Sequence, residues 1–104
     1  MIIGTPTDDG RHVSEHFGRA KSFVIVDVQD GKIQKRTLID NPHEKEQNEQ
    51  SGHGKLLKML VENKVGKVVC FNLNPKMEKN LGSLKIVVQR CGEAAEIDSL
   101  LKEN

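Results

Sequence analysis

The side chains in this sequence best suited to holding a metal are its four histidines and two cysteines. His16 heads the segment His16-Phe17-Gly18-Arg19-Ala20, and His12 stands four residues ahead of it. His43 opens a polar stretch, His53 lies between two glycines, and Cys91 precedes Gly92. Imidazole is the commonest protein ligand to metals, and thiolate suits soft metals and iron–sulfur clusters. The candidate metal ligands are therefore His12, His16, His43, His53 and Cys91. His12 and His16, spaced i, i+4, could share a helical face, although the Glu-flanked pattern of zinc proteases is absent. Cys70 lies inside an apolar run and reads as a small core residue. Asp8 and Asp9 could hold a hard cation, but such pairs more often serve turns.

Composition removes several function classes. Acidic and basic residues nearly cancel, leaving a formal net charge of +1. A nucleic-acid binder usually shows a basic stripe, and with no Trp or Tyr and three Phe there is no stacking platform for bases. No apolar run approaches the roughly 18 residues of a membrane span. No basic, apolar and small-residue sequence of a signal peptide opens the chain. The expected address is the cytosol, where the cysteines stay reduced. The 104 residues are expected to form a single domain.

The elements that must position these side chains follow from periodicity. Met1 to Pro6 reads as a buried strand, and the polar, Gly-punctuated stretch from Thr7 to Ala20 as a loop too polar for the core. Ser22 to Val28 is apolar on both alternating faces, Phe23 and Ile25 on one and Val24, Val26 and Val28 on the other, as in a central strand. Asp30-Gly31 is a two-residue hairpin signal. Lys32 to Ile39 is a charged, edge-type strand, ended by Asp40-Asn41-Pro42. His43 to Gln50 has no apolar residue and reads as mobile. Gly52-His53-Gly54 opens a helix with Leu56, Leu57, Leu60 and Val61 on one stripe, and Gly66 marks a break after it. Lys67 to Phe71 is a fourth strand. Asn74-Pro75 caps a short helix to Leu81. Lys85 to Gln89 is a fifth strand, and Glu93 to Lys102 a final helix with Ala94, Ile97, Leu100 and Leu101 on one side.

The expected order is β-β-β-α-β-α-β-α, an α/β fold. A meander of three strands followed by two helix-linked crossovers makes the sheet mixed. The loops after strands one, three, four and five then converge at one end, where open α/β sheets bind ligands. That rim collects Asp8, Asp9, His12, His16, Arg19, His43, His53, Asn72, Asn74, Arg90 and Cys91. The opposite rim carries neither His nor Cys.

Several stretches carry a family resemblance: Met1-Ile2-Ile3-Gly4-Thr5-Pro6-Thr7, His16-Phe17-Gly18-Arg19-Ala20 followed by the second strand, Asn41-Pro42, and Gly52-His53-Gly54-Lys55 before a helix. Together they resemble the dinitrogenase iron–molybdenum cofactor biosynthesis family, whose members include NifX, NafY and the C-terminal domain of NifB. The resemblance implies a ribonuclease H-like, three-layer fold with a five-stranded mixed sheet. It also implies carriage, without turnover, of an iron–sulfur or iron–molybdenum-type cluster or its precursor. Donor and acceptor proteins of cluster assembly would be the partners, with neither nucleic acid nor membrane involved. On that resemblance His16 is the first candidate ligand and His53 the second, with Gly18 and Gly54 allowing close approach and Arg19 offsetting the cluster's negative charge.

Two other classes stay open at this level. One is a regulatory or protein-interaction module of the same fold without bound metal. The other is a ribonuclease H-like metal-dependent nuclease. It would need converging carboxylates, and strand one offers Thr5 and Thr7 instead.

Overall fold

A computed structural model describes residues 1–42 and 49–102. The elements run β1 (Ile2–Thr7), β2 (Ser22–Gln29), β3 (Lys32–Asp40), α1 (Glu49–Glu62), β4 (Lys67–Cys70), α2 (Pro75–Ser83), β5 (Val87–Arg90) and α3 (Ile97–Lys102). The five strands form one mixed sheet in the order β3-β2-β1-β4-β5. β2 is antiparallel to both β1 and β3, whereas β4 is parallel to β1 and β5 to β4.

The alternation of β2 dictates the layers. Phe23 and Ile25 pack with Leu56 and Leu60 of α1, Met77 and Leu81 of α2, and Val68 and Cys70 of β4. Val24, Val26 and Val28 turn to the other face, with Ile3, Val69 and Ile97 and Leu101 of α3. Each fully buried Leu or Phe stabilises the fold by about 1.5–3 kcal/mol, so the two clusters fix which way the helices dock. β2, paired on both sides, is covered on both faces. β3 is an edge strand and most of it is exposed. The hairpin between them turns through Asp30 (φ 54°) and Gly31 (φ 75°), the left-handed pair that suits strand twist.

Several boundaries differ from the sequence expectation. α1 is already helical at Glu49, so Gly52, His53 and Gly54 lie within the helix and do not open it. Glu49 and Gln50 are likewise helical, while the rest of the stretch expected to be mobile, including His43, lies outside the described residues. Val61, expected on the buried stripe, is 51% exposed. The last turn of α1 is closed by Lys64 at φ 58° and not by Gly66. There Lys64 N–H donates to the Val61 carbonyl and Val65 N–H to the Leu60 carbonyl, a left-handed cap that usually falls to glycine. α3 starts four residues later than expected, with Ala94 outside it at φ 50°.

The strand directions decide where the loops go. β1, β3, β4 and β5 all point the same way, so the segments that follow them emerge at one end of the sheet. Thr7 pairs with Ser22 and Ser22 with Asp40, which sets the ends of β1 and β3 on either side of the start of β2 at that lip.

Candidate functional site

The loop from Asp8 to Lys21 contributes to the core, against the expectation that it was too polar. Val13, Phe17 and Ala20 are buried. Phe17 meets Phe23 edge-on, with ring centroids 5.2 Å apart at 81°, a geometry worth about 0.5–1.5 kcal/mol beyond the buried area. In the His16-to-Ala20 segment the apolar residues therefore anchor the chain, while His16 and Arg19 are exposed and Gly18 is half-buried. Gly18 has no positive φ, so left-handed freedom is not what a glycine supplies at this position.

Polar side chains shape the same loop. Thr7 Oγ1 donates to the His12 carbonyl and accepts from Gly10 N–H, each at 2.8 Å. Asp8 accepts from Ser14 Oγ at 2.9 Å and from Lys21 N–H at 3.0 Å, and Ser14 Oγ accepts from His16 N–H at 3.2 Å. Asp9 accepts from the N–H groups of Arg11 and His12, and its second oxygen lies 2.8 Å from His12 Nδ1. These bonds, the imidazole contact first, hold the Asp9 carboxyl well below the usual carboxylate range. Both acids thus serve the loop, which is the turn chemistry weighed above.

His12 and His16 do not share a helical face. His12 forms a single antiparallel bridge with Glu96, and neither residue is in a helix. With Nδ1 engaged by Asp9, His12 keeps Nε2 for an outside partner, as carboxylate-oriented metal histidines do. His53 belongs to α1; its side chain, like the whole of His43, lies outside the described residues. Gly54 is exposed in the second turn of the same helix, and a methyl group placed there meets nothing within 4 Å.

Cys91 follows β5 at the same lip, with its N–H bonded to the Cys70 carbonyl at 3.0 Å. The two thiols are free and sit in the clusters on opposite sheet faces. Burial pushes the Cys70 thiol up to about 11 and raises that of Cys91, so both resist the thiolate form that ligates. Among the described residues no three His, Cys, Asp or Glu side chains gather as a metal-holding group.

Two side chains position the loop in ways the sequence reading does not assign: Asn41 reads only as a strand end and part of a family stretch, and Arg36 only as a charge. Asn41, 0% exposed, donates through Nδ2 to the carbonyls of Gly18 at 3.1 Å and Ala20 at 2.8 Å. Arg36, which reads only as an edge-strand charge, reaches the Gly10 carbonyl at 2.6 Å and Asp98 at 3.3 Å. Arg90 is similarly committed. It donates to the Phe71 and Leu73 carbonyls and pairs with Glu78 at 2.9 Å, bracing the segment after β4.

A five-stranded mixed sheet between helical layers, with its loops gathered at one lip, defines a three-layer α/β domain. The chain belongs to the dinitrogenase iron-molybdenum cofactor family, whose model matches residues 1–103. It is 31% identical over 103 residues to the uncharacterized protein MJ0580 of Methanocaldococcus jannaschii, covering 98% of this chain and 83% of that one. The crystal structure of PH0822 superposes with a TM-score of 0.83 at 25% identity, over 98% of this chain and 86% of the other. The apo form of the orange protein from Desulfovibrio gigas shares the fold, with a TM-score of 0.81 at 19% identity, over 98% and 84% of the two chains. The family ties the chain to a cofactor-related role. No helix among the described residues is long and apolar enough to cross a membrane.

Proposed function

We propose that this chain is a non-catalytic carrier for an iron–sulfur-based metallocluster, or for a precursor of an iron–molybdenum-type cofactor, on a ribonuclease H-like fold. The cargo docks at the lip after β1, β3, β4 and β5. One observation carries the reading: the His16-to-Ala20 segment is anchored by buried Phe17 and Ala20 and leaves His16 and Arg19 in solvent. That arrangement offers a soft ligand and a fixed cation on a braced backbone.

The donor set fits a cargo that is handed on. A resident metal would call for three or four converging ligands; His16, with His53 from α1 as its second ligand, would hold a cluster loosely. Arg19 offsets the negative charge of sulfide, and Gly18 and Gly54 admit the cluster close to the backbone. His12, presented by Asp9, and His43 are secondary ligands, and Cys91 would join only on losing its proton. The natural partners are cytosolic proteins that donate and accept the cluster. Nuclease chemistry is disfavoured by β1: Thr5 is buried and donates to the Val69 carbonyl at 2.6 Å, and no carboxylate occupies the strand.

The test is anaerobic loading with iron and sulfide, followed by elemental analysis and optical and paramagnetic spectra. The wild-type protein is expected to hold a coloured species that the His16→Ala, His53→Ala double variant loses. A species that persists unchanged in that variant removes these two ligands from the proposal.

A further inference from the structure

At the turn through Gly18 and Arg19, the carbonyls of Gly18, Ala20 and Lys21 are tied inward and backbone donors are left over. Asn41 Nδ2 draws in the oxygens of Gly18 and Ala20, and Asn41 N–H takes that of Lys21 at 3.0 Å. A trans peptide unit points its N–H away from its carbonyl, so the N–H groups of Arg19 and Lys21 face the other way. Lys21 N–H is used by Asp8. Among the described residues, no acceptor meets the N–H of Phe17, Gly18 or Arg19, and the side chains of His16 and Arg19 have no hydrogen bond or ion pair. Among the described residues, the charged side chains flanking the turn along the chain or through the strand pairing are Arg19 and Lys21 against Glu15, Asp8 and Asp40. Of the acids, Asp8 has both oxygens committed to Ser14 and Lys21.

We propose that the outward face of this turn is an anion receptor in its own right. A small tetrahedral dianion is bound by the Arg19 guanidinium and by the N–H groups of Gly18 and Arg19, and Asn41, which holds the Gly18 carbonyl, is the positioning residue that turns the Arg19 N–H outward. Successive free backbone N–H groups beside a cation are a recurring anion-binding device, and a guanidinium matches the geometry of a tetrahedral oxyanion. The inference rests on the docking lip proposed above and specifies how it holds cargo there, by charge and hydrogen bonds as well as by ligation.

The experiment is a titration of metal-free, nitrogen-15-labelled protein with sulfate, against chloride at matched ionic strength, read on the backbone amide resonances. Saturable shifts at Gly18 and Arg19 with sulfate alone, weakened at least ten-fold in Arg19→Gln, are expected. Absence of saturation, an equal response to chloride, or an unchanged response in Arg19→Gln overturns the receptor. Folded Asn41→Ser is expected to bind sulfate at least ten-fold more weakly, and wild-type binding there removes Asn41 from its role. Should Asn41→Ser not fold, the Asn41 side-chain NH2 protons of the wild type decide the point: slow exchange supports the role and fast exchange ends it. Because no iron or sulfide is present, a null result here leaves cluster loading by His16 and His53 standing. Loss of loading with sulfate binding intact does the reverse.

Discussion

Arg36, on the edge strand β3, holds the carbonyl oxygen of Gly10 at 2.6 Å from its Nη2. The same guanidinium meets Asp98 of α3 at 3.3 Å, so one side chain joins the sheet edge, the loop after β1 and the last helix. A lysine carries a comparable charge but lacks the planar fork that serves two acceptors at once. Arg36→Met is expected to cost about 1 kcal/mol, since the contacts are partly exposed and screened, and Arg36→Lys should recover little of it. Urea unfolding gives the stability, and amide exchange of Gly10 to Val13 gives the loop. Unchanged exchange in both variants would mean that Arg36 does not brace the loop.

Asp9 makes the loop sensitive to acid. Its carboxyl is held low by the His12 ring and by the N–H groups of Arg11 and His12. A carboxylate whose pKa is lower folded than unfolded favours the folded state when ionised. Its contribution is complete above the usual carboxylate value near 3.8 and drains away as the pH falls below it. Asp9→Asn should therefore flatten the loss of stability between about pH 4 and pH 2, measured by urea unfolding at stepped pH. An identical acid limb in variant and wild type would contradict the assignment.

The cysteines act on the alkaline side. Burial raises the Cys70 thiol to about 11, against an ordinary 9.0. The folded state keeps this proton longer than the unfolded chain does. The contribution is thus complete below pH 9 and is lost as the pH climbs toward 11. Cys70→Ala, whatever its packing cost, should show a shallower alkaline decline than wild type. At neutral pH a thiol reagent should label Cys91 slowly and Cys70 only on unfolding. Two thiols reacting at the rate of the denatured chain would defeat this account.

Much of the scaffold was legible because its signals are local or strictly periodic. The two-sided apolar run of β2 sorted Phe23 and Ile25 from Val24, Val26 and Val28, and Asp30-Gly31 marked the hairpin. The chain order then implied which loops share an end. What escaped has no period. Val13, Phe17 and Ala20 are buried from within an irregular loop, where spacing says nothing about facing. That Glu49 and Gln50 are already helical was invisible because neither brings an apolar residue to announce it. The left-handed cap at Lys64 was hidden by a residue type that seldom takes it, with Gly66 nearby as a decoy. Asn41 and Arg36 act through a few bonds to residues distant in sequence, and no composition or pattern reports the partner of a buried amide. The convergence of the loops at one lip was therefore readable, but the bracing of the loop after β1 was not.

Gly54 separates stability from cargo. It lies in the second turn of α1, and a methyl group there meets nothing within 4 Å. Gly54→Ala should therefore stabilise the helix by about 1 kcal/mol, raising the melting temperature by about 5 °C in a domain of this size. If Gly54 admits a cluster to the backbone beside His53, the same methyl group occupies space the cargo needs, and loading with iron and sulfide should weaken as the protein gains stability. Gly82 of α2 provides the control: it is equally open, near the C-terminal end of its helix and on the rim away from the lip. Gly82→Ala should give a smaller stability gain and leave loading untouched. Calorimetry and iron content on the same preparations give both numbers. If the two alanine variants load alike, Gly54 is an ordinary surface glycine and the cargo lies nearer to His16 than to α1.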